Sequence, residues 1–129
     1  MKKVKRKKPT VSKLKKKLWK VFTLYIKNRD KWTCFTCGRQ AKGAGMHSGH
    51  YIAKSVGGLA LYFHEKNVNA QCYHCNIDLS GNSDVYIQKL IGKYGEEVID
   101  EIRLLRQEIT KWTIQDYEEK ILFYQDRLK

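Results

Sequence analysis

The first 29 residues contain no acid, and the whole 129-residue chain contains a single proline, Pro9. There is also no apolar run long enough to span a bilayer, no recognisable secretory signal and no internal repeat. Each absence removes a class of answer. Without an apolar span, no membrane-crossing helix is expected. Without a secretory signal, the expected setting is the reducing cytosol, where close cysteine pairs serve metals rather than disulfides. One proline leaves no proline-rich linker, and 129 residues suit one domain, or one small domain with a helical appendage.

What is present is unevenly spread. Residues 1–29 carry thirteen Lys or Arg, while residues 30–129 carry thirteen basic and thirteen acidic side chains. The entire net charge of +13 therefore lies in the N-terminal 29 residues. Such a block attracts a polyanion and gains from counterion release, so nucleic acid is the expected partner. An anionic membrane is disfavoured, because the first ten residues offer no apolar face to insert. Residues 1–11 are expected to be a disordered basic arm, with Lys5 and Arg6 among its DNA contacts. From Ser12 the pattern turns helical, with Leu14, Leu18, Val21, Phe22, Tyr25 and Ile26 on one face. Lys13, Lys15, Lys16, Lys17 and Lys20 fill the rest, so one face serves a core and the other serves phosphates. Thr10 or Ser12 can cap this helix.

Further along, Trp32 to Arg39 reads as a knuckle turn, and Met46 to Ala53 as a strand. Gly57 and Gly58 predict a loop, Leu59 to Phe63 an irregular or extended stretch, and Asn67 to Gln71 a second strand. Asn76 to Leu79 opens a short helix, and Ser83 is placed to cap a helix over Val85 to Tyr94. A further helix runs from Glu96 to about Ile109, with Val98, Ile102, Leu105 and Ile109 on one face. Thr113 and Asp116 form a capping box for a last helix with Ile114, Tyr117, Ile121, Tyr124 and Leu128 inward. The layout is thus a basic arm at 1–11, a core at 12–82 and an α-helical extension at 83–129. The extension either packs on its own subunit or forms a homodimer interface. Trp19, Phe22, Tyr25, Trp32, Tyr62 and Phe63 are expected in the core.

Chemistry concentrates in the middle. Cys34 and Cys37, with Cys72 and Cys75, form two Cys-x-x-Cys turns that can close one tetrahedral structural zinc site. The 34 residues between the pairs hold His47, His50, His64 and Asn67, and the second pair runs straight into Asn76. Phosphodiester hydrolysis needs a base for water and a divalent cation beside the scissile phosphate. A ribbon followed by a helix can supply both: His50 as base from the first strand, Asn76 as cation ligand from the helix start. A neutral imidazole suits the base role because its pKa lies near working pH.

These residues carry a family resemblance. The stretch Cys34 to Asn82 resembles the HNH branch of the His-Me-finger, or ββα-metal, nucleases, and within it the phage lambda NinG recombination-protein family. The likeness rests on Cys34-x-x-Cys37-Gly38, Gly49-His50-Tyr51, Asn67, Gln71-Cys72-x-x-Cys75-Asn76 and Leu79-Ser80-Gly81-Asn82. The Cys-x-x-Cys-Asn ending is also similar to phage endonuclease VII, a zinc-containing resolvase. The resemblance implies that His50 is the general base, that Asn67 braces it and its loop, and that Asn76 stands in the place of the final metal-binding histidine. Gly49 departs from the pattern, since the residue before the base is usually an acid or another ligand.

His47 is the candidate replacement, because residues two apart on a strand share a face. With Asn76 it would hold Mg²⁺ or Mn²⁺ largely through water and substrate phosphate. His64 could support the site, though a loop histidine without a catalytic task is the plainer reading. The expectation is an α+β protein with a small zinc-stabilised ββα core. Its expected activity is metal-dependent DNA cleavage in an infected bacterial cytoplasm, selective for Holliday junctions, D-loops and similar branched DNA. A phage recombinase or single-strand-binding protein is a candidate partner. The rival readings are a zinc-bearing DNA-binding protein whose site has decayed at Gly49, and a sequence-specific phage HNH nuclease.

Overall fold

Four apolar residues spaced four apart, Leu14, Leu18, Phe22 and Ile26, are buried along one side of helix α1 (Val11–Arg29). The Thr10 hydroxyl accepts the Lys13 amide at its start, so of the two residues able to cap it, Thr10 does. The computed structural model describes residues 8–129. Lys5 and Arg6, with most of the 1–11 arm, lie outside the described residues.

The described chain is mixed α and β: five α-helices around one two-stranded antiparallel sheet. Strand β1 (Met46–His50) pairs with β2 (Val68–Cys72), Met46 opposite Cys72 and His50 opposite Val68. Helix α2 (Lys54–Tyr62) lies between the strands, and a single π-helical turn (His74–Asp78) follows β2. Helices α3 (Ser83–Tyr94), α4 (Glu97–Arg106) and α5 (Ile114–Arg127) complete the chain. None of the described helices is long and apolar enough to cross a membrane.

Three apolar clusters meet at this hairpin. The first joins α1 to α5 through Leu18, Phe22, Tyr117, Ile121 and Tyr124, with Phe63 and Val68 beneath them. Each fully buried side chain of this size stabilises the fold by roughly 1.5–3 kcal/mol. The second is small: Cys34, Met46, Ala70, Cys72 and Cys75. The third brings Leu61 of α2 against Tyr86, Leu90, Val98 and Ile102 of α3 and α4. The Tyr86 hydroxyl donates to the Gly49 carbonyl and accepts from Asn69, keying α3 into the hairpin.

Several local expectations change. β1 ends at His50 rather than Ala53, because both main-chain polar groups of Ile52 bond to the Asn67 carboxamide. Gly57 and Gly58 lie inside α2 instead of a loop, and Leu59 to Tyr62 are helical rather than irregular. A Cβ on Gly57 would lie 2.8 Å from that of Leu61, and Gly58 bends the helix with φ of 68°. Ser83 is the first residue of α3 and does not cap it; Asn82 holds the cap position with φ of 50° and no side-chain cap bond. α4 stops at Arg106, and Ile109 is 93% exposed. The chain turns there to bring Trp112 against Phe63 and Tyr117. The capping box at Thr113 and Asp116 is present. Of the two arrangements open to the extension, Ile121 and Tyr124 follow own-subunit packing: both are covered by the chain's own α1.

Candidate functional site

The four cysteine sulfurs lie within 4.8 Å of one another, and Cys37 Sγ is 3.6 Å from Cys72 Sγ. That separation is too long for a disulfide. It matches the edge of about 3.8 Å that four thiolates take around tetrahedral zinc. The Cys37 and Cys75 amides point at Cys34 Sγ and Cys72 Sγ, and the Asn82 carboxamide points at Cys75 Sγ. Burial opposes ionisation of Cys34, yet the Thr36 hydroxyl and nearby backbone N–H groups bring its thiol down to about 6. Burial and the neighbouring sulfurs push Cys37 up to about 12. Four crowded sulfurs with N–H donors aimed at them form a cation site, and this centre can hold a zinc ion.

His50 closes β1, where the Tyr62 carbonyl lies 2.8 Å from its Nε2. A carbonyl only accepts, so Nε2 carries the proton and Nδ1 keeps a free lone pair. The ring stacks on Trp19 at 5.3 Å between centroids and 17° between planes. Burial, assisted by the Lys54 charge and opposed by the Tyr62 carbonyl, lowers the imidazole pKa to about 4. It is therefore neutral at physiological pH.

The cation ligands expected from the sequence stand close together. Asn76, in the π-helical turn directly after Cys75, donates through Nδ2 to His47 Nδ1 at 3.0 Å. Asn76 and His50 line one cavity of about 240 Å³ with Ser48, Ala53, Lys54, Ser80 and Gly81. His47 does not line that cavity, and a cation taking Asn76 Oδ1 and His47 Nδ1 as ligands would have to replace the hydrogen bond between them.

Asn67 braces the loop after His50, as expected, but not the imidazole itself. It is fully buried and does not bond His50; its carboxamide ties Ile52 to the Leu61 carbonyl. That fixes the backbone next to Tyr62, making Asn67 a positioning residue for the carbonyl that holds His50. His64 is turned away from the cavity: Nδ1 accepts from the Lys66 amide, and Nε2 lies 3.8 Å from Glu101 of α4.

Two neighbours of the site were missed from the sequence. Trp19, expected in the core, is half-buried and shared between His50 and the lysine side of α1. Its signal was position: it lies four residues after Lys15, on the basic side of the apolar stripe. Lys54 had no signal beyond its charge, yet its Nζ sits 4.9 Å from the Trp19 ring centre. Lys13, Lys16, Lys17 and Lys20 are exposed along α1, and Lys15 is half-buried against Tyr62.

Comparison with known proteins gives one family. The family model described as the bacteriophage lambda NinG protein matches residues 1–129. The ninG protein of Escherichia phage lambda is 34% identical over 106 residues, 81% of this chain and 50% of that protein. Those of Escherichia phage 933W and Salmonella phage P22 are 33% and 32% identical, each over 81% of this chain and 51% of theirs. The chain spans about half the length of the curated relatives it matches. No solved structure matches. With its whole length matched by the family model and about a third of 106 aligned residues shared with the phage proteins, the chain belongs to the NinG family.

Proposed function

We propose that this chain is a metal-dependent endodeoxyribonuclease of the HNH type, selective for branched recombination intermediates. The observation that carries the reading is His50. Its Nε2 proton is spent on the Tyr62 carbonyl, and it shares with Asn76 a cavity beside a basic helix. In that arrangement His50 Nδ1 takes a proton from water as the water oxygen attacks phosphorus in line. The bond from phosphorus to the 3′-oxygen breaks, leaving a 5′-phosphate and a 3′-hydroxyl. A Mg²⁺ or Mn²⁺ ion held by Asn76 and His47 would supply charge stabilisation for the phosphate and the departing oxygen. A phosphodiester in the cavity brings the negative charge that raises the His50 pKa toward its task. A zinc ion held by Cys34, Cys37, Cys72 and Cys75 would fix Asn76 through Cys75, its sequence neighbour.

The lysines of α1 supply phosphate affinity without sequence readout, which suits recognition of DNA shape. Paired cutting of a four-way junction requires two active sites, so a second subunit or two successive visits would serve it. The setting is the cytoplasm of the infected host, with a phage recombinase or single-strand-binding protein as a fitting partner. The test is cleavage of labelled four-way junctions, flaps and linear duplex of one sequence, with Mg²⁺ or Mn²⁺ and His50→Ala as control. Junction-selective cutting that disappears in the variant supports the reading. Equal cutting of all substrates retains the chemistry and removes the branch selectivity. Binding without cutting under either metal would favour a DNA-binding protein with a decayed site.

A further inference from the structure

Trp19 separates two surface features. On one side it stacks on His50; on the other it lines a concavity with Ser12, Lys15, Lys16, Lys20 and Tyr62. The Tyr62 ring stands edge-on to Trp19, 5.4 Å between centroids and 78° between planes. Both rings are half-buried, so each keeps surface open to solvent. Lysine ammonium groups rest over them: Lys15 Nζ is 4.4 Å from the Tyr62 centre and Lys54 Nζ is 4.9 Å from that of Trp19. Among the described residues, no carboxylate is in ion-pair reach of Lys15, Lys16, Lys20 or Lys54. Lys15 and Lys54 rest on aromatic faces, in contacts that an anion with a flat apolar ring can replace on both counts, while Lys16 and Lys20 add charge at the rim.

We infer that Trp19 and Tyr62, ringed by Lys15, Lys16, Lys20 and Lys54, form a seat for one unpaired nucleotide of single-stranded DNA beside the cleavage cavity. The inference deepens the nuclease reading and rests on it for the identity of the polyanion. A base inside a duplex has both faces covered by its stacked neighbours. Only a nucleotide out of the helix can offer a face to an aromatic ring. As it stacks, Lys15 and Lys54 leave the rings for its flanking phosphates. Because Trp19 touches both the seat and His50, the adjoining phosphodiester on that strand is delivered to the cavity of His50 and Asn76. Branch points are where unpaired nucleotides lie next to duplex, so the seat accounts for selectivity without base-specific contacts.

The test is binding of the 129-residue chain to DNA carrying 2-aminopurine, with no divalent cation added so that binding is read apart from cleavage. The fluorophore is placed once at an unpaired nucleotide beside a branch and once at a paired position in plain duplex. Quenching at the unpaired site alone is expected. Tyr62→Leu, which keeps the main-chain carbonyl that holds His50, should lose the preference for the branched probe about tenfold, the loss that one base–aromatic stack carries. It should bind plain duplex as the parent does. Lys15→Ala, an independent change on the rim, should weaken branched binding and reduce its salt dependence. The inference is overturned if 2-aminopurine is unquenched on binding, or if folded Tyr62→Leu and Trp19→Leu both keep the full preference. Cleavage that persists in either case leaves the nuclease reading intact. Quenching with no cleavage under either metal keeps the seat and removes the nuclease.

Discussion

The Gln71 side chain occupies the space that any side chain on Gly49 would need. A Cβ added at Gly49 would meet Gln71 Oε1 and lie 2.8 Å from Gln71 Cδ. Gln71 is itself pinned, its carboxamide donating to the Thr36 hydroxyl and the Gly81 carbonyl. The glycine before His50 is thus demanded by packing. Its lack of a ligand therefore carries little weight for a decayed site.

Restoring an acid there should fail. Gly49→Asp is expected to cost about 1–3 kcal/mol through overpacking, more if the carboxylate remains unpaired, and to bring no gain in cleavage. His47→Ala, at a half-buried site, should leave the fold within about 1 kcal/mol and raise the Mn²⁺ concentration needed for half-maximal cleavage about tenfold or more. Urea melts and metal titrations of the two variants check this. A Gly49→Asp protein that is both stable and more active would refute it.

His50 should titrate far below an ordinary histidine. The side chain ionises near 6.5 when free and near 4 in the fold, where burial is the first cause and Lys54 a lesser one. Between those values the unfolded chain binds the extra proton, so the stability contributed by His50 is complete above about pH 6.5 and is lost as pH falls toward 4. Imidazole ¹⁵N NMR of the DNA-free protein should show the Nε2–H tautomer at pH 7 and a midpoint near 4. A midpoint near 6.5, or a proton on Nδ1, would overturn the assignment.

Zinc removal should unfold the knuckle before the rest. The apolar cluster there consists of three cysteines, one methionine and one alanine, too little burial to hold two turns and a hairpin end without a metal. One zinc per chain is expected in native mass spectra. Cys75→Ser should lower Tm by about 10 °C or more and weaken Asn76 placement with it. An unchanged melt after chelation would count against the site.

Charge substitutions on α5 separate own-chain packing from dimerisation. Ile121, 4% exposed, lies against α1, whereas Leu122 is 65% exposed. Ile121→Asp should destabilise the monomer by about 3 kcal/mol or more, and Leu122→Asp by no more than about 0.5 kcal/mol. Denaturant melts paired with sedimentation at several concentrations read this directly. A folded Ile121→Asp protein that merely dissociates would assign the face to a partner copy.

How far the sequence could be read depended on which physical signal each element left. The four-residue spacing of Leu14, Leu18, Phe22 and Ile26 was enough for α1, and Thr113 with Asp116 was enough for the start of α5. The nearness of His47 to Asn76 followed from strand period and from Asn76 adjoining a cysteine of the metal centre. Helix α2 was hidden because two adjacent glycines signal a loop by propensity, whereas here one admits Leu61 closely and the other makes a bend. The resemblance pointed to Asn67 as a brace for the loop after His50, but its partners were hidden because all three groups it bonds belong to the main chain, whose identity no residue type records. Gln71 stands in the motif that carries the resemblance, but its packing role left no trace, since its effect is to exclude volume rather than to bear a recognisable function.

The hold on the His50 imidazole comes from the main chain at position 62, and inheritance treats such a contact differently from a side-chain one. A codon change there can alter the ring that leans on Trp19, yet the peptide carbonyl passes unaltered through every replacement that keeps the backbone in place. The tautomer of His50 is therefore sheltered from drift at the residue that sets it. It is exposed instead at Asn67, five positions downstream, whose carboxamide anchors that stretch of backbone. Descendants of this chain could vary freely at 62 and still keep the lone pair on Nδ1 of His50, while losing it through a change at a residue that never touches the ring.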